Sequence, residues 1–197
     1  MKRLYILFIT AILLCTALSA QEADIRKVAE RYKGINTFTA TVIRIKHHAA
    51  VAEDAVTKGK FHFMQPNEAY MTFNEGKDML IMDNGVFTMI NDGQESIAKG
   101  VTHKQFEVLL IVLRNLLSSD SDSTDIKEVA DMEITLYSQV WYKLLLLTIT
   151  PIIPDAKAKR RMMFTSFVLT IDIQSSEFKG LRMNEKGKNY TQYDFSD

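Results

Sequence analysis

Any reaction carried out by this 197-residue chain would have to draw on four histidines, some clustered acids and a short basic run. His47 and His48 are adjacent on a run of strand composition, so their side chains alternate to opposite faces and do not readily share a metal ion. They read as surface or strand-end histidines. His62 lies between Phe61 and Phe63 on a second such run and reads as a packed or edge histidine rather than a base. His103 falls in the first turn of a helical pattern, where the positive end of the helix dipole disfavours an imidazolium. Asp120, Asp122 and Asp125 have the acid density of a calcium loop but lack its glycine and its closing glutamate, so a solvated loop is the simpler reading. Lys157, Lys159, Arg160 and Arg161 suit an acidic partner or an anionic lipid, with a solvated loop again the simpler reading. No Gly-x-Ser-x-Gly elbow, phosphate loop or dinucleotide fingerprint is present. The residues thus offer no catalytic group, no metal site and no cofactor site, and the chain reads as something other than an enzyme.

The single cysteine, Cys15, sits in a segment that specifies a destination. Lys2 and Arg3 precede an apolar core from Leu4 to Leu18, and Ser19-Ala20 supplies small residues. That is the pattern of a secretory signal peptide over residues 1–20. Cleavage after Ala20 leaves Leu18 three positions back, whereas cleavage after Ser19 puts Ala17 there, and both remain open. Leu14 before Cys15 argues against lipidation. Residues 21–197 then form a single exported domain without a thiol or disulfide, stabilised by its core alone. Removing Lys2 and Arg3 from the 24 basic residues leaves 22 against 24 acidic ones, a formal charge of −2, which argues against a nucleic-acid partner.

Residues 22–33 carry Ile25, Val28, Ala29 and Tyr32 on one helical stripe, with Gly34 beyond the end. Thr37 to His47 reads as a long strand and Ala49 to Thr57 as a loop. From Gly59 to Gly100, short apolar runs are punctuated by turn residues. Asn84-Gly85 is a strong two-residue hairpin signal, because both central positions favour positive φ. Taking it as a turn pairs Met82 with Phe87 and Leu80 with Met89. Taking Glu75-Gly76 as the preceding turn pairs Met71 with Leu80 and Ala69 with Met82. The two turns agree on faces: Met71, Phe73, Leu80, Met82, Phe87 and Met89 share one, and Tyr70, Thr72, Met79, Ile81, Thr88 and Ile90 the other. Both faces are substantially apolar, so each needs a cover or a ligand. A helix from Thr102, as N-cap, to Leu117 is apolar nearly all round, through Phe106, Leu109, Leu110, Leu113, Leu116 and Leu117. It is expected to be buried on several sides. Ser118 to Thr124 reads as a polar loop, Thr135 to Ile153 as one strand, Asp155 to Arg161 as a basic loop and Met162 to Ile173 as a strand. Leu181 to Phe195 reads as a final hairpin.

In this order, several motifs resemble a known family. They are the opening helix and long strand, Gly59 to Asn67 as Gly-x-Phe-x-Phe-x-x-Pro-Asn, Asp83-Asn84-Gly85-Val86-Phe87, the apolar run Tyr142 to Pro151, and an ending on Asp-Phe. Together they are similar to the LolA-like outer-membrane lipoprotein carriers of Gram-negative periplasms. The resemblance implies a mainly β fold with helices, an open, half-closed antiparallel β-barrel under a helical lid. It also implies a monomeric periplasmic carrier with no enzymatic activity. Its cavity would take up acyl chains of lipoproteins or a related lipid; the alternative is a non-enzymatic lipoprotein-sensing or protein-docking module on the same fold. The partners would be an inner-membrane lipoprotein-releasing transporter and an outer-membrane acceptor. The arginine that the family places soon after Pro-Asn has no counterpart at Glu68, Ala69 or Tyr70, so its lid contact does not carry over and the chain reads as a divergent member. The expected lipid-binding residues are Met71, Phe73, Leu80, Met82, Phe87 and Met89 from the sheet, with Phe106, Leu109, Leu110 and Leu113 from the helix. The opposite sheet face is the alternative.

Overall fold

The computed structural model describes residues 27–196 apart from 29, 33, 65–67, 118–125 and 140; the side chains of 114–117 are also outside it. The expected signal peptide, the start of the N-terminal helix, the Pro66-Asn67 turn, the loop from Ser118 and the side chains of Leu116 and Leu117 therefore lie outside the described residues. Residues 27, 28 and 30–32 are helical. The strands follow as β1 (Thr37–His47), β2 (Ala55–Met64), β3 (Glu68–Phe73), β4 (Asp78–Asp83), β5 (Val86–Asn91) and β6 (Gln94–Ile97). Helix α1 (Gly100–Leu117) and the short α2 (Ile126–Val129) lead into β7 (Ala130–Ser138) and β8 (Lys143–Pro151). A short α3 (Ala156–Arg160) precedes β9 (Phe164–Asp172), β10 (Glu177–Glu185) and β11 (Tyr190–Ser196).

All eleven strands form one sheet, ordered β6-β5-β4-β3-β2-β1-β11-β10-β9-β8-β7. Every adjacent pair is antiparallel. Two meanders are thus joined through the pairing of β1 with β11. The order ends on β6 and β7, which do not pair with each other, so the barrel stays open.

The turn chemistry set the register of the first meander. Asn84 and Gly85 have φ of 46° and 81°, the left-handed pair that such a two-residue turn requires. Met82 faces Phe87 and Leu80 faces Met89. Met71 faces Leu80 and Ala69 faces Met82. Across the next turn, Phe63 faces Ala69 and Phe61 faces Met71.

Four expectations need correction. Helix α1 begins at Gly100, so Thr102 lies inside its first turn and is not the N-cap. The loop after β1 ends before Ala55, because Ala55, Val56 and Thr57 already pair with Lys46, Ile45 and Arg44. Asp155 to Arg161 is not a loop: the Asp155 carboxylate accepts from the N–H groups of Lys157 and Ala158 at 3.0 and 3.3 Å and starts α3. Thr135 to Ile153 is not one strand. The chain reverses after β7, where Gln139 N–H donates to the Tyr142 carbonyl at 2.9 Å. A single 19-residue strand would reach about 60 Å, far beyond its nine-residue neighbours. Folding back instead lets Ile134 and Leu136 face Leu147 and Leu145 on the same side.

Candidate functional site

The sheet face beneath α1 is the one that carries Met71, Phe73 and Phe87, all buried, whereas Tyr70 on the opposite face is exposed. Which face is inward, open from alternation alone, is therefore decided by packing. The Phe106 ring of α1 lies 5.0 Å from Phe87 of β5, and 5.3 and 6.3 Å from Phe164 and Phe167 of β9. One aromatic side chain thus bridges the two meanders. All ten residues expected to bind lipid fall in one hydrophobic cluster. Met71, Phe73, Phe87, Phe106, Leu109 and Leu110 are buried in it, while Leu80, Met82, Met89 and Leu113 pack against it half-buried.

Polar contacts of Gln105 and His103 help attach α1. Gln105 is fully buried; its amide nitrogen donates to the Phe164 carbonyl, and its Oε1 accepts from Met163 and Phe164 N–H at 3.1 and 3.3 Å. A buried amide is tolerable only when satisfied in this way. At the other meander, His103 Nε2 lies 3.0 Å from the Gly85 carbonyl. A carbonyl only accepts, so that nitrogen carries the proton.

Tyr32, in the N-terminal helical segment, packs on the middle of the sheet, at β1 and β10. Tyr32 lies 5.9 Å from the Phe38 ring and 5.4 Å from Phe178, and its hydroxyl accepts from Phe178 N–H at 3.2 Å. Phe38 continues the ring contacts to Phe61 and Phe63, at 5.4 and 5.2 Å. These rings are half-buried. Arg31 pairs with Glu177, which Lys179 also holds at 2.6 Å. The Lys179 bond, ahead of the other nearby groups, draws the Glu177 carboxyl below its ordinary range.

A polar island interrupts the apolar face. In register, Val42, Gly59, Phe73 and Asp78 lie side by side across β1 to β4. A Cβ on Gly59 would stand 2.2 Å from the Thr72 carbonyl oxygen and 2.4 Å from Phe73 Cδ1, so only glycine lets the Phe73 ring lie there. The Arg44 guanidinium sits 4.3 Å above that ring and donates to Asp78 Oδ2 at 2.6 Å. Asp78 also accepts from Asn74 at 3.0 Å and from Asp92 N–H at 2.8 Å, tying two hairpin turns together. The Asp92 N–H first, and then Arg44, hold the Asp78 carboxyl below its ordinary value against the effect of burial. Arg44 Nε is buried with no acceptor among the described residues. Tyr193, the cross-strand partner of Arg44, is buried and its hydroxyl is pushed up to about 12.

Arg44, Asp78 and Gln105 were not singled out from the sequence, though each carried a signal. Asp78 stands two residues before Leu80 on an apolar face, Arg44 two after Val42 on β1, and Gln105 four before Leu109 on the helical stripe.

The remaining histidines are structural neighbours of aromatic rings or turns. His62 stacks on Tyr70 at 4.6 Å. His47 stacks on Tyr190 at 4.7 Å and contacts Asp54 at 2.7 Å. His48 Nδ1 accepts from Ala50 N–H at 3.3 Å. His47 and His48 both border a cleft of about 300 Å³ with Lys46, Glu53 and Glu185. Among the described residues, no three His, Cys, Asp or Glu side chains are grouped to hold a metal ion. None of the described helices is long and apolar enough to cross a membrane.

No protein-family model and no curated protein matches the chain. It is similar in fold to several solved structures. One is a LolA superfamily protein of Nitrosomonas europaea, at 9% identity, covering 89% of this chain and 91% of that one, with a TM-score of 0.40. A second is a domain of Vibrio parahaemolyticus assigned to outer-membrane lipoprotein sorting, at 8% identity, 88% and 89% coverage and a TM-score of 0.44. A third is the lipoprotein LppX of Mycobacterium tuberculosis, at 10% identity, 90% and 94% coverage and a TM-score of 0.39.

Proposed function

We propose that this chain is a non-enzymatic, monomeric carrier that takes up the acyl chains of lipoproteins, or of a related lipid, between its sheet and α1. The observation that carries this reading is the construction of the inner face. A row of side chains runs from Ile134 through Leu147, Leu169 and Leu181 to Tyr193, on the sheet face that α1 covers. The helix over it is held by apolar packing and by polar contacts at Gln105 and His103. Apolar packing is non-directional, so an acyl chain can replace the helix as the partner of the same surface. Each buried CH₂ recovers about 0.8 kcal/mol, which lets one long chain compete with the helix contacts it displaces. Met71, Met82 and Met89, soft and unbranched, suit a lining that must adapt to flexible chains.

In this reading the lipid-binding residues are Met71, Phe73, Leu80, Met82, Phe87, Met89, Phe106, Leu109, Leu110 and Leu113. Residues 1–20 direct export, residues 21–197 act as one domain in the periplasm, and cargo passes from an inner-membrane transporter to an outer-membrane acceptor.

Binding of a fluorescent fatty-acid probe tests the reading. Half-buried Met82 is the position to vary, because Met82→Arg places a charge on the face while leaving the fully packed side chains intact. The probe should bind the natural chain and lose about tenfold or more in affinity to Met82→Arg, with the far-ultraviolet dichroism of the two unchanged. Equal binding by both folded proteins would remove the proposed site.

A further inference from the structure

The turn between β7 and β8 places Trp141 at the edge of the sheet, where its side chain is 86% exposed. Tyr137, Tyr142 and Leu136 around it are exposed as well. Singly exposed apolar residues need no explanation, but Leu136 and Tyr137, on opposite faces of β7, together with Trp141 and Tyr142 give this hairpin end an apolar rim on both of its faces, and that does. Two further observations say what the patch meets. From Ile134 to Pro154 the only charged residue is Lys143, a cation. Asp172, the acid in register with neighbouring Leu144, is turned to its own loop, accepting from Gln174 and Ser175 N–H at 2.8 and 3.4 Å. The patch is also continuous with the inner face, because exposed Leu136 pairs with Leu145 and Leu145 with Ile171, both buried.

We propose that this tip seats Trp141 and its tyrosines in the head-group layer of a phospholipid bilayer. Indole and phenol rings favour that layer because one end is apolar and the other polar, and a single lysine beside them suits anionic phosphate. A protein hot spot of the same residues would be expected around a recess that a partner fills. Here the largest side chain projects instead. The apolar row behind it gives an acyl chain leaving the bilayer a path onto Leu136 and then the buried face. That last step rests on the carrier reading above; contact with the bilayer does not.

Trp141 is the only tryptophan in the chain, so intrinsic fluorescence reports this position alone. Vesicles of equal parts phosphatidylcholine and phosphatidylglycerol should shift its emission to the blue, and brominated lipid should quench it. Trp141→Ser should reduce flotation with the vesicles by about tenfold at an unchanged melting temperature. Emission unmoved by vesicles, or equal flotation of the variant, would overturn the proposal. A blue shift in a protein that binds no soluble acyl probe would sustain the tip and remove the carrier reading.

Discussion

Arg44 Nη2 stands 2.6 Å from Asp78 Oδ2, with the two side chains only 8% and 12% exposed, on the mainly apolar inner face of the sheet. Removing one partner leaves an uncompensated buried charge, which costs about 3–5 kcal/mol. Asp78→Leu alone should therefore lower the urea midpoint sharply, and Arg44→Met with Asp78→Leu should recover much of the loss. Loss in the double variant equal to the sum of the singles would show that the pair is not coupled.

Acid sensitivity should follow from the same carboxylate. Asp78 is held below its ordinary value of 3.8 in the folded chain, so the folded state binds fewer protons than the unfolded one. Its contribution is complete above the unfolded value and is lost as pH falls from there through the lowered folded value. Glu177, shifted in the same direction, adds to this acid limb. Unfolding free energy measured from neutral pH downward should decline over that window, and Asp78→Asn should flatten the decline. An unchanged slope in that variant would assign acid lability elsewhere.

Gly59 of β2 leaves no room for a Cβ beside the Phe73 ring. Gly59→Ala should destabilise the fold by about 1–3 kcal/mol through overpacking. Phe73→Leu in the same chain should relieve part of that cost, because the clash is partly with the ring. Additive losses in thermal unfolding would place the strain on the Thr72 carbonyl instead.

Gln105→Leu keeps the side chain close in size but leaves the Phe164 carbonyl and the Met163 and Phe164 N–H groups without this partner. The expected cost is about 1–3 kcal/mol. Hydrogen exchange should rise in α1 and at the start of β9 while the β1–β11 pair stays protected. Uniform loosening of all strands would mean that Gln105 supports the whole core rather than the seat of the helix.

The parts of this structure legible in the sequence are those governed by local chemistry. Asn84-Gly85 demands positive φ at two consecutive positions, and that demand alone set Met82 opposite Phe87. The β7–β8 reversal was missed because Ser138, Gln139, Trp141 and Tyr142 include no glycine, proline or Asn-Gly pair, and the turn is closed by backbone hydrogen bonding. The short α3 escapes a sequence reading because five residues, Ala156–Arg160, are too few to show a helical apolar stripe. The six apolar residues of one sheet face and the four of α1 were recognisable as sets, but the orientation of the sheet depended on Phe106 meeting both Phe87 and Phe164, a contact between distant segments. Arg44 and Asp78 come together only when β1 through β4 are aligned, 34 positions apart in the chain.

Native mass spectrometry with lipid extraction, on the mature protein purified from a Gram-negative periplasm, tests the carrier reading most directly. The natural chain should carry an acylated species that Met82→Arg, folded and equally expressed, has lost. A folded natural chain that emerges empty and also takes up no acyl probe would contradict it, and would leave the inner face as a core or as a dock for protein.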